Sequence, residues 1–201
     1  MALTFEFDFE VTKAALLYLA SKNLPKFDKY RAVKLLFLAD REHLLRFGRP
    51  ITGDKYNALP FGPTGDRVLD LLGELERVAL EGETPKSVEV EELVASLAVA
   101  EDEYSTYHAK VEPDWDALSK SDIQVLDRVV AEHGSKSFEE LKKFTHELKA
   151  YQMAWREQAV QRKFPMVFDD FFAEEPEASG FLQELLENQA IAGAFSSAIR
   201  F

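Results

Sequence analysis

The chain has 201 residues, a formal net charge of −12 and no cysteine. The missing thiols exclude disulfides, thiolate catalysis and cysteine-ligated zinc. The negative field repels duplex nucleic acid and tRNA, and no basic run offers a local exception, so direct nucleic-acid binding is not expected. With 46% hydrophobic and 30% charged residues, the chain can fill one core without covalent staples. No basic-apolar-small pattern opens it and no apolar run would cross a bilayer. The expected compartment is the cytoplasm.

Residues 4–10 alternate Phe5, Phe7 and Phe9 with Glu6 and Asp8. Period two predicts a short strand or an extended arm laid on apolar surface. A helix follows over Val11 to Ser21, closed by Asn23 and Pro25. Asp28 is placed to cap the next helix, Tyr30 to Phe47. Val33, Phe37, Leu44 and Phe47 mark one face of it, and Ala32, Leu35, Leu36 and Ala39 cover much of the rest. A helix apolar on more than one face is central, with neighbours on several sides. Gly48 and Pro50 stop it. Ile51 to Leu59 reads as turn and extended chain, with Gly53-Asp54 as a turn signal. At Pro60-Phe61-Gly62-Pro63 the prolines restrict φ around a glycine free to take positive φ, so the backbone reverses. Thr64 is the expected cap of a helix over 65–80 that stops near Gly82.

Residues 86–112 are ambiguous. Val88 and Val90 alternate with glutamates, Glu92 to Ala100 fits helix or strand, and Tyr107, Ala109 and Val111 read as a strand. Together they predict a small antiparallel sheet beside a helical core. Ser119 and Ser121 both precede a helix at capping-box spacing, with Ile123, Leu126, Val129 and Val130 inward and Gly134 as its end. Ser137 and Glu140 form another box. Leu141, Phe144, Leu148, Tyr151 and Trp155 then follow helical spacing, with a break near Glu147 as an alternative. Residues 162–177 mix Phe164, Phe168, Phe171 and Phe172 with acidic residues. A last amphipathic helix spans 177–190, with Phe181, Leu182, Leu185 and Leu186 inward, and an apolar, weakly patterned tail covers 191–201. The expected fold is mainly α: a compact single-domain helical core with a small antiparallel β element.

Little of this is catalytic. Asp40 and His43, at i and i+3 on the central helix, are close enough to share a proton or a metal. The structural role weighs more heavily, because an unpaired buried charge is too costly at a helix centre. Asp40 is expected to satisfy an arginine or the backbone amides of the Pro-Gly turn. None of the four histidines has common zinc spacing. No cofactor, metal or nucleophile motif is expected. The acidic-aromatic run Phe168, Asp169, Asp170, Phe171 and Phe172 is the candidate contact for a partner, since aromatics anchor interfaces and acidic rims select basic partners.

Three features carry a family resemblance: Lys34 to Leu44 (KLLFLADREHL), the Gly48 to Asp54 turn (GRPITGD), and Phe61-Gly62-Pro63 before a helix. Leu118 to Asp122, then Thr145-His146-Glu147 and Trp155, extend it over roughly residues 10–172. The chain resembles the Panacea domain of SocA-like antitoxins and phage-associated proteins. The resemblance implies an antitoxin that neutralises a cognate protein toxin, encoded nearby, by direct binding without turnover, and the acidic surface suits a basic one. It marks Lys34, Asp40, Arg41, Gly48, Pro50, Asp54, Phe61, Gly62, Pro63, His146 and Trp155 as structural or partner-contact positions. Residues 1–172 would form the domain with its arm, and 173–201 a C-terminal helix and tail. A protease adaptor, handing the toxin to a AAA+ protease, is the first alternative. A small-molecule or metal-dependent enzyme centred on Asp40 and His43 is the second.

Overall fold

The aromatic-acidic arm at the start of the chain docks on the body of the protein. In the structure, a computed structural model that describes residues 2–22 and 24–198, Phe5 and Phe7 are half-buried while residues 4, 6 and 8 face outward. The arm stays extended, held by isolated hydrogen bonds: Leu3 N donates to Asp169 Oδ1 at 2.8 Å and Asp8 N to the Thr52 carbonyl at 2.9 Å. Helix α1 (Phe9–Ala20) starts two residues earlier than its apolar pattern, because the Asp8 carboxylate accepts from Val11 N.

Helix α2 (Lys29–Phe47) is the centre of the fold. Asp28 caps it by accepting from Arg31 N, and Gly48 ends it in the left-handed region at φ 77°. Its residues 31–40, with His43 and Leu44, are buried. Phe47 is a correction: it is 42% exposed, because the last turn runs past the neighbouring elements and its ring lies beside His43. Strands β1 (Tyr56–Leu59) and β2 (Gly62–Gly65) then form an antiparallel hairpin paired from Tyr56↔Gly65 to Leu59↔Gly62.

Helix α3 (Asp66–Glu81) follows at once. Thr64 does not cap it, since it lies in β2. Asp54, from before the hairpin, reaches over instead: Oδ1 accepts from Arg67 N at 3.0 Å and Oδ2 from Val68 N at 2.9 Å. The ambiguous region resolves into α4 (Val88–Ser96), capped by Ser87, and a second hairpin of β3 (Leu97–Val99) with β4 (Tyr107–Ala109). Ser87 ahead of the valine-glutamate alternation is what turns that run into a helix.

Ser119 and Ser137 form the expected capping boxes, opening α5 (Lys120–His133) and α6 (Phe138–Glu147). The continuous stripe to Trp155 does break: Leu148 is extended, and α7 (Lys149–Ala154) starts anew. A short strand β5 (Phe164–Pro165) pairs with the outer side of β1, giving a sheet of order β2-β1-β5. Two 3₁₀ turns (Phe168–Glu174 and Pro176–Ala178) lead into α8 (Ser179–Ala198). Residues 191–198 of the expected weakly patterned tail are thus helical, and 199–201 lie outside the described residues. Phe181, Leu182, Leu185 and Leu186 pack on the core as their spacing predicts. The structure is mainly α, compact, with small antiparallel sheets. Among the described residues, no helix is long and apolar enough to cross a membrane.

Gly53 is where the arm and the turn meet. It sits at φ 68°, and a Cβ there would lie 2.0 Å from the Glu6 carbonyl oxygen. Backbone cannot yield as a side-chain tip does, so Gly53→Ala is expected to lift the arm and to cost about 1–3 kcal/mol in strain. Limited proteolysis between residues 3 and 8 should become faster. Equal cleavage rates in both chains would show that the arm is not seated there.

Candidate functional site

Helix α2 buries four ionisable side chains, and each grips a different neighbour. The Arg31 guanidinium donates to the Gly134 carbonyl behind α5. Lys34 Nζ donates to the Pro63 carbonyl at 2.6 Å. Asp40 Oδ1 accepts from the amides of Ile51 (2.9 Å) and Thr52 (2.8 Å). Its Oδ2 accepts from the Thr52 hydroxyl (2.5 Å) and the Tyr56 hydroxyl (2.8 Å). His43 Nδ1 meets the Arg49 carbonyl at 2.7 Å, an atom that only accepts, so Nδ1 carries hydrogen. Its Nε2 lies 3.0 Å from both Ser121 Oγ and Asp122 Oδ1. Helices with buried charges are stable when each charge finds such partners.

Asp40 therefore has a structural role, but its partners are the amides and hydroxyls at Ile51, Thr52 and Tyr56 after α2, in place of the expected arginine or Pro-Gly turn. Burial pushes its carboxyl up to about 6, against the pull of the four donors, and drives the Tyr56 hydroxyl well above its usual range. His43 does not join it. Asp40 binds the turn at Ile51 and Thr52, whereas His43 bridges Arg49 of that turn to α5, so the less favoured alternative of a shared proton or metal has no geometry behind it. Asp122, which sequence spacing marks only as a cap partner, holds a second network instead. Burial raises its carboxyl, but His43, Ser119 and Arg49 outweigh that and hold it near 2. Arg49 Nη2 donates to it at 2.8 Å.

Lys34 differs from the others. It is 1% exposed and, among the described residues, has no carboxylate partner. Its second neighbour is Thr64 Oγ1, at a loose 3.4 Å. Burial lowers its ammonium to about 7. The hairpin turn seats on it through Gly62 at φ 101°, where a Cβ would stand 2.7 Å from Thr145 Oγ1 and 3.2 Å from Lys34 Nζ. Only glycine allows that approach. Next to Thr145, His146 stacks on Tyr151 (4.4 Å) and Tyr151 on Trp155 (5.9 Å). Tyr151 donates to the Leu59 carbonyl at 2.9 Å, tying this stack to the hairpin. Burial, then Lys142 and Lys34, lowers the His146 imidazole, whose buried Nε2 has no partner. Lys34, Gly62, Pro63, His146 and Trp155, separated by up to 121 positions, are thus parts of one constellation.

Phe61 projects from the tip of the hairpin and is 57% exposed. Its ring lies 5.9 Å from that of Phe138, which in turn lies 4.3 Å from Tyr30. Beneath them opens a cavity of about 340 Å³, walled by Val33, Leu59, Leu69 and the Lys34 side chain. An exposed aromatic patch over an apolar recess is a surface suited to another molecule.

A family model described as antitoxin SocA-like, Panacea domain, matches residues 33–152. The chain belongs to that family. No curated protein and no solved structure matches it. The matched segment holds the whole of β1, β2 and α3–α6, and with them most of the Lys34 cavity wall and Phe61 and Phe138 of the aromatic patch; Tyr30 lies just before it.

The remaining motif positions are structural in their contacts. Pro50 is buried in the turn that Asp40 holds, and Asp54 caps α3. Gly48 lies under Leu185 and Phe181 of α8. Arg41 leaves the constellation and pairs with Glu174 at 2.6 Å. The acidic-aromatic run is corrected. Phe168, Phe171 and Phe172 are buried, with Phe171 5.6 Å from Phe37 and Phe168 5.0 Å from Phe5. Asp169 holds the N-terminal arm. In this fold those rings close the core, and Phe168 and Phe171 only border a small apolar recess beside the N-terminal arm. Phe138, Tyr30 and Tyr56 were not singled out by sequence reading. Phe138 carried a signal, as an apolar residue in the first, outward turn of a capped helix.

Proposed function

We propose that this chain is an antitoxin that binds a cognate protein toxin, encoded nearby, and silences it by occlusion, with no bond made or broken. The family match over residues 33–152 carries the reading. The patch of Phe61, Phe138 and Tyr30 supports a direct apolar contact, since a few aromatic anchors supply most of an interface's energy. The net charge of −12 supports a basic toxin drawn in at long range.

Co-expression with the product of the adjacent gene tests the proposal. Growth should recover and the two proteins should co-elute. A neighbour that stays fully toxic ends the reading. Phe61→Ser and Phe138→Ser change exposed rings and should leave folding intact. Each is expected to weaken the complex about thirtyfold, the size of a hot-spot loss near 2 kcal/mol. Variants that bind like the parent would move the contact off this face. Toxin half-life separates occlusion from delivery to a AAA+ protease: occlusion leaves it unchanged when the protease is deleted.

A further inference from the structure

The patch at the hairpin tip carries charge as well as rings. Tyr30, Phe138 and Phe61 follow one another across it, with 4.3 Å and then 5.9 Å between ring centroids. Helix α6 supplies Phe138 and also a charged side chain toward each end of the row. Lys142, one helical turn after Phe138, places Nζ 5.5 Å from the centre of the Phe61 ring. Glu139 lies toward the Tyr30 end. Burial raises the Tyr30 hydroxyl, and the nearby Glu139 carboxylate, then Asp28, raise it further.

Neither charge has an opposite partner. Glu139 and Lys142 stand at i and i+3 on α6, yet among the described residues neither forms an ion pair. The charges around them do have partners. Lys143 reaches Glu147 at 3.9 Å, Glu140 closes the capping box on Ser137, Asp28 caps α2, and Lys29 on the cavity wall pairs with Glu76. The cavity beneath the rings, at about 340 Å³, is at the low end of the range that holds a bound group, about 300–1,000 Å³. An apolar opening with an unpaired cation at one edge and an unpaired anion at the other has the layout of an interface centre with its polar rim.

We infer that this patch takes a segment of the toxin in which an apolar anchor residue is flanked by an acidic residue, facing Lys142, and a basic residue, facing Glu139. The inference rests on the antitoxin reading and adds the chemistry of the bound segment and its direction across the patch. The anchor supplies most of the binding energy. The two charges set the direction, because a reversed segment would bring like charges together at both ends. The overall charge of −12 favours a basic partner as a whole, whereas Lys142 asks for a carboxylate at one place in it.

Charge reversal separates the local contact from the general field. Binding of the adjacent gene's product is measured for the parent, Lys142→Glu, Glu139→Lys and Lys143→Glu, with Tm as the check on folding. In the general field, Lys142→Glu and Lys143→Glu both make the chain more acidic, and both would hold or tighten a basic toxin. The local contact predicts that Lys142→Glu and Glu139→Lys each weaken binding about tenfold, chiefly through slower association. Lys143→Glu changes a side chain that is 79% exposed and directed to Glu147, and should leave binding within about twofold of the parent. Lys142→Gln and Glu139→Gln, each expected about threefold weaker, carry the test where a reversal lowers Tm. A Lys142→Glu or Lys142→Gln chain that folds and binds as tightly as the parent, or more tightly, would overturn the inference and leave the antitoxin reading in place. A parent chain that does not bind the neighbour removes that reading, and the inference falls with it.

Discussion

Replacing Asp40 with alanine is expected to lower stability by about 3–5 kcal/mol, because it strands four buried donors at once. The amides of Ile51 and Thr52 and the hydroxyls of Thr52 and Tyr56 all end on this carboxylate. Among the described residues the two amides have no other acceptor, and a site with no exposed surface is closed to bulk water. For a chain of this length such a loss lowers Tm by roughly 10 °C. Asp40→Asn should cost much less. Its carbonyl oxygen still accepts both amides, and the Thr52 and Tyr56 hydroxyls can turn to accept from the new NH₂. Chemical denaturation of the three proteins at pH 7 checks the order. An alanine variant within 1 kcal/mol of the parent would mean that the turn holds its shape without α2. A variant that unfolds outright still leaves the asparagine protein as the informative comparison.

That carboxylate also shows which features were legible in the sequence. Its burial followed from apolar residues on every side of α2, and the need for partners followed from the cost of an unpaired charge, but not which turn would supply them. Caps at Asp28, Ser119 and Ser137 were legible for the same reason: cap and helix are three residues apart, so chemistry and spacing are seen together. Thr64 failed as a cap because its competitor, Asp54, acts from thirteen positions away, across a hairpin. Distance in the chain likewise hid the Lys34 constellation. Sequence motifs marked Lys34, Gly62, Pro63, His146 and Trp155 individually, yet nothing in their spacing says that the hairpin lies on α2 and that α6 closes over it.

The acidic-aromatic run failed for a different reason. Phe168, Phe171 and Phe172 lie on a 3₁₀ turn, and Phe5 on an extended arm, so neither the 3.6 nor the 3.0 period alone tells which rings meet. Composition suggested an adhesive surface, and packing used the same rings as core. The two exposed rings of the patch, Phe61 and Phe138, look unremarkable in sequence. Phe61 stands alone between prolines and a glycine, and its ring finds Phe138 only after the hairpin has folded.

Lys34 supplies the other large effect, and it should appear as a dependence on pH. In the unfolded chain its ammonium loses a proton near 10.5; in the fold, burial without a carboxylate brings that down to about 7. Between those values the folded chain binds fewer protons than the unfolded chain, so stability contributed by this group rises with pH across the window. Below about 7 the ammonium is charged and buried, and the fold bears the cost. The gain across the window is on the order of 5 kcal/mol, at about 1.4 kcal/mol for each tenfold change in acidity. Lys34→Met keeps length and volume and removes the charge. It should be at least as stable as the parent at pH 7 and lose that advantage steadily toward pH 10. Other groups that titrate in alkali, such as the raised Tyr30 and Tyr56, are common to both proteins and cancel in the difference. Urea unfolding of both chains at half-unit intervals from pH 6.5 to 10 gives that difference directly. A constant difference across the range would show that the Lys34 ammonium is as well satisfied inside the fold as in water. The cavity beneath Phe61 would then have an ordinary cation buried at its base.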